Sequence, residues 1–293
     1  MDLGLSGRVF LVTGGSRGIG FAAAHELVAE GARVVLSSRD QASADEAAAR
    51  LRAQDPTDGG PGQHMEAVVA VAADNADPAT PGRLIGVAME RFGGLHGALI
   101  SVGGPPAGSV IESTDEAWRS AFESVFLGAV RVARVLSGEL SRVNGGSGQA
   151  PGPSSQASDA LTEPKGPGAP ESGSIVFVLS SSVRVPIARL AISNGLRPGL
   201  AGVVKTLAEE LGPEGIRVNA LLPGRIDTGR VRELDRVRGD PEQIRRQQSL
   251  QIPLRRYGEP GEVGRVAAFL LSSAASYITG SMVPVDGGMI RSI

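Results

Sequence analysis

Thr13-Gly-Gly-Ser-Arg-Gly-Ile-Gly20 follows an apolar run and opens a helical stretch, and its spaced glycines suit it to hold a pyrophosphate. Gly14 permits a tight turn, Gly18 lets the backbone approach the phosphates, and Gly20 allows the next helix to pack close. The amides that open that helix then face the anion. At the end of the second predicted strand stands Ser37-Ser-Arg-Asp40. An arginine there accommodates a ribose 2′-phosphate, whereas an acidic residue binds a 2′-hydroxyl. Arg39, helped by Arg17, favours NADP, and Asp40 keeps NAD open. Other chemistry is sparse. There is no cysteine, and His25, His64 and His96 are too scattered to form a metal cluster, so no metal is expected. Of 29 basic residues only Lys165 and Lys205 are lysines.

A phosphate cradle of this kind needs a parallel sheet to present it. Short β-branched runs at 8–12, 33–37, 66–72, 97–101, 174–179 and 217–221 alternate with alanine-rich stretches at 19–30, 41–53, 81–92, 114–140 and 193–211. Strands joined by crossover helices have this pattern. Near-continuous apolar strands imply a sheet covered on both faces, so the expected fold is α/β, a Rossmann-type doubly wound parallel sheet. The 293 residues, 41% of them hydrophobic, suffice for one large core, and a single NADP-binding domain over 1–293 is expected. A formal charge of −2 gives no electrostatic reason to expect nucleic acid or an anionic membrane surface. The first residues lack the basic start and apolar core of a signal peptide, and no apolar run reaches the length of a membrane span. The expectation is a soluble, cytoplasmic protein acting on a small molecule.

Two stretches break the rhythm. Residues 54–64 and 144–173 are rich in Gly, Pro and Ser, and the second is expected to be a disordered loop. Each follows a helix and precedes a strand, which assigns both to the N-terminal edge of the sheet, whereas ligands bind beyond the carboxyl ends.

Over nearly everything except those stretches, the chain resembles a short-chain dehydrogenase/reductase, particularly the 3-oxoacyl-carrier-protein reductases. TGGSRGIG is that family's cofactor signature, and Asp74-Asn75 stands where the family contacts adenine. Leu99-Ile-Ser-Val-Gly-Gly104 takes the place of an Asn-Asn-Ala-Gly segment, with both asparagines replaced. Val218-Asn-Ala-Leu-Leu-Pro-Gly224, with Thr228 beyond it, matches the strand and turn on the nicotinamide side. The resemblance therefore implies cofactor contacts at Gly14, Ser16, Arg17, Gly18, Ile19, Gly20, Arg39, Asp74, Asn75, Gly103, Pro223, Gly224, Ile226 and Thr228. Tyr277-Ile-Thr-Gly280 and Val285-Asp-Gly-Gly288 match the family's C-terminal end.

Register with the family also locates the catalytic positions. Lys205-Thr-Leu-Ala-Glu-Glu-Leu211 resembles the second half of its long helix; eight residues back, the catalytic lysine's place is held by Arg197. Four earlier, the tyrosine's place is Ser193, and thirteen before that, the serine's place is Ser180. The family's asparagine falls at Val125. In the family the tyrosine moves a proton as hydride is transferred, and the lysine lowers its pKa. A serine hydroxyl is a much weaker acid than a phenol. Arg197 can hold charge and stabilise an oxyanion, but it does not release its proton at ordinary pH. The two tyrosines, Tyr257 and Tyr277, sit in segments whose family counterparts serve the lid edge and subunit contacts.

Three functions fit these residues. One is an atypical NADP-dependent reductase in which Ser180 and Ser193 hydrogen-bond a carbonyl oxygen and Arg197 supplies charge, the proton coming from water or a substrate hydroxyl. Another is a non-redox biosynthetic reaction on the same fold. The last is a nucleotide-binding sensor or partner subunit without catalysis; apart from all three, Ser193 could be simply a helix cap and Arg197 a solvated charge. Residues 224–253, the family's mobile lid, carry Arg225, Arg230, Arg232, Arg236, Arg238, Arg245 and Arg246, which would suit a phosphorylated or carboxylated substrate. The interleaved Asp227, Glu233, Asp235, Asp240 and Glu242 suit a solvated, salt-bridged helix instead. The resemblance further implies a homodimer or homotetramer.

Overall fold

The apolar runs become strands. The computed structural model describes residues 2–53, 67–144 and 173–292. These hold β1 (Val9–Val12), β2 (Arg33–Ser38), β3 (Val68–Ala72), β4 (Gly97–Ser101), β5 (Gly173–Val178), β6 (Ile216–Pro223) and β7 (Met282–Val285). All lie in one parallel sheet ordered β3-β2-β1-β4-β5-β6-β7. The order reverses between β1 and β4, and a crevice for ligands forms at such a reversal, beyond the carboxyl ends. Thr13 ties the two strands there: its Oγ1 donates to the Ser101 carbonyl at 2.9 Å and accepts the Ser101 N–H at 2.9 Å.

Alternating side chains divide the interior into two layers. Phe10, Val12, Leu36, Leu99 and Val176 pack with α1 (Gly18–Ala29), α2 (Gln41–Arg52) and α9 (Pro260–Leu271). Leu11, Val35, Ile100, Phe177 and Leu222 pack on the other face with α3 (Thr80–Phe92), α5 (Gly128–Asn144) and α6 (Ala191–Leu211). Each fully buried Leu, Ile or Phe among them contributes roughly 1.5–3 kcal/mol. The predicted doubly wound sheet is the observed one.

The differences are local. The expected helix 114–140 is split into α4 (Asp115–Ala121) and α5 by a π-helical segment, Phe122–Leu127, in which the Phe122 and Phe126 rings stack with centroids 5.1 Å apart. β7 and α9 lie outside the predicted elements; Pro284 is tolerated because β7 is an edge strand. The lid folds into α7 (Gly229–Arg238) and α8 (Pro241–Leu250). The stretch 54–64, and the longer one from 145 to 172, lie outside the described residues. Among the described residues no helix is long and apolar enough to cross a membrane, and no group of three or more His, Cys, Asp and Glu could hold a metal ion.

Candidate functional site

β1 delivers the glycine loop to the crevice. Gly14 and Gly18 adopt φ of +61° and +58°, and a Cβ on Gly20 would fall 2.3 Å from the Gly14 carbonyl oxygen. The loop therefore closes only with these glycines. α1 starts at Gly18, so Gly18, Ile19 and Gly20 provide its opening amides. Arg17, in the extended N-cap position, offers them no side-chain cap. Amides at a helix start lack intrahelical partners, and with no side chain filling the place they remain free for a phosphate. This is the fit a dinucleotide requires.

The other residues expected to meet the cofactor lie at the carboxyl ends of β2, β3 and β6 and just beyond them. Ser16 Oγ donates to Ser38 Oγ at 3.1 Å, bracing the loop against the end of β2. Arg17 and Arg39 are exposed beside it. Asp40 is committed elsewhere: its carboxylate caps α2, accepting the Ser43 N–H at 2.8 Å and the Ser43 hydroxyl at 2.6 Å. The Ser43 hydroxyl, then its amide, hold the carboxyl below its usual range. Asp74 closes its own turn by accepting the Ala76 N–H at 2.9 Å, with Asn75 between them. Pro223 ends β6, and the Gly224 amide donates to the Val285 carbonyl at 3.1 Å. Ile226 is buried, and the Thr228 methyl carbon lies 3.4 Å from where a Cβ on Gly18 would stand. The β6 turn thus reaches back to the glycine loop.

A concentration of buried polarity lies at the ends of β4 and β5. Arg197, one turn after Ser193 on α6, is 7% exposed and Ser193 5%. Arg197 Nε donates to Ser193 Oγ at 3.2 Å. Its Nη1 donates to the carbonyls of Val178 at 3.1 Å and Leu179 at 2.7 Å, and Nη2 reaches the Gly103 carbonyl at 3.5 Å. Burial pushes the guanidinium pKa down to about 10, which still leaves it charged at neutral pH. Among the described residues no carboxylate forms an ion pair with it. The solvated-charge expectation for Arg197 is thereby overturned, and Ser193 lies within α6 rather than capping it.

The hydroxyl joined to this pair is that of Ser182, whose Oγ lies 3.4 Å from Ser193 Oγ. Ser180 Oγ accepts the Ser182 N–H at 3.1 Å, capping the short 3₁₀ turn Ser181–Val183. Among the described residues Ser180 has no hydrogen bond to Ser193 or Arg197. Sequence reasoning overlooked Ser182; the run of three serines was its only signal. Val125 is packed in the core within the π-helical segment.

The lid arginines are largely consumed in pairs. Arg225 lies 2.5 Å from Asp235, which also accepts the Tyr257 hydroxyl at 2.9 Å. Arg232 and Arg245 share Asp227 at 2.7 and 2.8 Å, and Arg230 pairs with Glu233 at 3.1 Å. Arg230 also donates to the Pro105 carbonyl at 2.7 Å, laying α7 over the segment that follows β4. Tyr257, buried beneath Arg245 with its pKa raised to about 12 chiefly by burial, serves the lid, and Tyr277 is fully exposed.

A doubly wound sheet with a glycine cradle at its strand-order reversal defines a dinucleotide-binding oxidoreductase scaffold. The sequence profile described as enoyl-(acyl carrier protein) reductase matches residues 14–148 and 156–290. Human dehydrogenase/reductase SDR family member 4 is 32% identical over 286 residues, covering 97% of this chain and 88% of that protein. The chain belongs to the short-chain dehydrogenase/reductase family. Among solved structures, L-sorbose reductase from Gluconobacter frateurii, complexed with NADPH and L-sorbose, is 29% identical with a TM-score of 0.82 over all of both chains. A short-chain oxidoreductase from Pseudomonas aeruginosa PAO1, described as containing an atypical catalytic center, is 27% identical with a TM-score of 0.80 over 99% of both chains.

Proposed function

We propose that the protein is an NADP-dependent reductase of a carbonyl group, in which Ser193 and Arg197 stand in place of the family's tyrosine and lysine. The observation that carries this reading is the buried Arg197–Ser193 couple at the carboxyl end of β5. Because Arg197 Nε–H occupies a lone pair of Ser193 Oγ, the serine hydrogen is directed elsewhere, to Ser182 or to an oxygen entering the site. The fixed positive charge behind it strengthens that donation and stabilises an oxyanion. Bound NADPH would supply hydride to the carbonyl carbon, and the oxygen would take its proton from water, since neither Ser193 nor Arg197 is acidic enough to lose one at neutral pH.

The preference for NADP is supported by Arg17 and Arg39, exposed beside the cradle, and by Asp40, whose Oδ2 is taken by the cap on α2. Similarity to one reductase complexed with NADPH, and to another oxidoreductase described as having an atypical catalytic center, supports the reading. Calorimetric titration of nucleotide-free protein with NADPH and with NADH tests the first half. Tighter binding of NADPH is expected, and equal affinities would remove the Arg39 argument. Binding of neither would leave a sensor or partner role to other ligands.

A further inference from the structure

Bordered on α6 by Ala191 and Asn194, a cleft of about 340 Å³ opens between the segment around Gly108 and the residues that lead into that helix. Its walls are tied to one another. The Gly108 amide donates to the Arg189 carbonyl at 2.8 Å, and the Ala191 amide donates to the Gly108 carbonyl at 3.2 Å. Asn194, the residue after Ser193, clamps Ile187 through both ends of its amide, at 3.0 and 2.9 Å. Arg189 is held at φ +60°, a conformation that costs an L residue about 1–3 kcal/mol and persists only when its surroundings impose it. The wall polar groups named here are thus spent on shaping the cleft.

Charge comes from two guanidinium groups. Arg189 lines the cleft, and Arg238 of α7 donates from Nη2 to the carbonyl of Ala188, another lining residue, at 3.2 Å. Arg238 is half-buried, and burial, then the charges of Arg225 and Arg189, press its pKa down. Asp235, one turn back on its helix, is already held by Arg225 and Tyr257. Glu112, 3.6 Å from Arg189, is exposed, as is its partner, and water screens such a pair. Arg238 is therefore a partly desolvated cation that stands outside the cleft's own lining and whose only hydrogen bond among the described residues ties it to the wall residue Ala188. A planar fork with donors to spare matches a carboxylate.

We propose that this cleft receives the carboxylate of an oxo-acid substrate, with Arg238 as its principal partner and Arg189 as the second. The inference rests on the reductase reading, which sets the substrate carbonyl at Ser193 and Arg197. Ala191 and Asn194, which line the cleft, flank Ser193 on α6. A volume at the lower end for ligand pockets suits a short acid rather than a long chain or a peptide.

The test titrates the full-length wild type, Arg238→Gln and Arg238→Lys with a homologous series of short unbranched oxo acids, pyruvate and levulinate among them, each paired with its amide. Calorimetry at low salt gives affinities, and NADPH oxidation is followed on the same compounds. Wild type should favour at least one acid over its amide by about 10- to 100-fold, as a charge-assisted contact implies. Arg238→Gln should erase that preference while leaving the amide's affinity unchanged, and Arg238→Lys should keep part of it. Equal affinity for acids and amides throughout, including no binding of any, overturns the proposal, as does an acid preference that survives in Arg238→Gln. Acid binding that depends on Arg238 without NADPH oxidation would uphold the anion site and remove the reductase reading.

Discussion

Arg197→Met removes a charge that the fold buries and anchors, so its effects on stability oppose each other while its effect on turnover does not. Burial that brings the guanidinium to about 10 disfavours the charged form by roughly 3 kcal/mol, and a neutral side chain recovers that amount. Against this, the carbonyls of Val178 and Leu179 lose a donor, at about 1–3 kcal/mol each if left unpaired. The two contributions are of similar size, so the variant should fold with a modest change in melting temperature. Turnover has no such offset. Loss of the fixed charge that backs the Ser193 donor at a developing oxyanion costs about 100- to 1000-fold in kcat, as for other preorganised oxyanion stabilisers. The assay is NADPH oxidation with a reducible carbonyl substrate, run beside thermal melting and NADPH titration. A variant that melts and binds NADPH like the wild type but turns over at least 100-fold more slowly supports the reasoning. Turnover within a few-fold of wild type would refute it and leave Arg197 as a tie between β5 and the Gly103 segment.

Gly20→Ala should weaken NADPH binding by 100-fold or more, because the added carbon lands 2.3 Å from the Gly14 oxygen and must shift the cradle; an unchanged Kd would mean the loop does not hold the dinucleotide. Arg39→Ala should raise the Kd for NADPH about tenfold and leave that for NADH alone, and a parallel loss for both would sink the 2′-phosphate assignment. The double change Ser193→Tyr with Arg197→Lys should not yield ordinary ketone reduction, since Ser193 is buried and Val125 offers no polar group behind the lysine; vigorous new activity would disprove this. His96 should make the protein acid-sensitive. Its neutral Nδ1 accepts the Val9 N–H at 3.0 Å, and burial, then Arg8, hold its pKa below the ordinary 6.5. The unfolded chain therefore takes up the proton first, so the stabilisation present at neutral pH is lost as pH falls below about 6.5. Melting temperature should drop more steeply below that pH in wild type than in His96→Gln, and parallel curves would refute the assignment.

What sequence alone revealed was what local stereochemistry dictates. Gly14, Gly18 and Gly20 are demanded by positive φ and close contact within a single turn, so the cradle could be read without the rest of the chain. α9 was missed although Pro260 in its first turn and the Glu259–Glu262 capping box are local signals that mark its start. β7 was not readable, because Met-Val-Pro-Val gains its strand geometry from β6 rather than from its own propensity. The pairing of Ser182 with Ser193 depends on a 3₁₀ turn that rotates three adjacent serines, and counting along the chain cannot supply that rotation. Burial of Arg197 was hidden for another reason. Arginine is mostly a surface residue, and only the carbonyls offered by the end of β5 and the Gly103 segment make its burial tolerable.

The cap that Asp40 places on α2 constrains how this protein could evolve. One carboxylate oxygen, Oδ2, takes both Ser43 donors, so gripping the ribose diol of the other nicotinamide cofactor with both oxygens would draw it off Ser43, and the first turn of α2 would lose about 1 kcal/mol with it. A lineage drifting toward that cofactor would need either a second residue to start the helix or an acid recruited from elsewhere in the loop. Substitution at Arg39 alone would weaken one preference without creating the other.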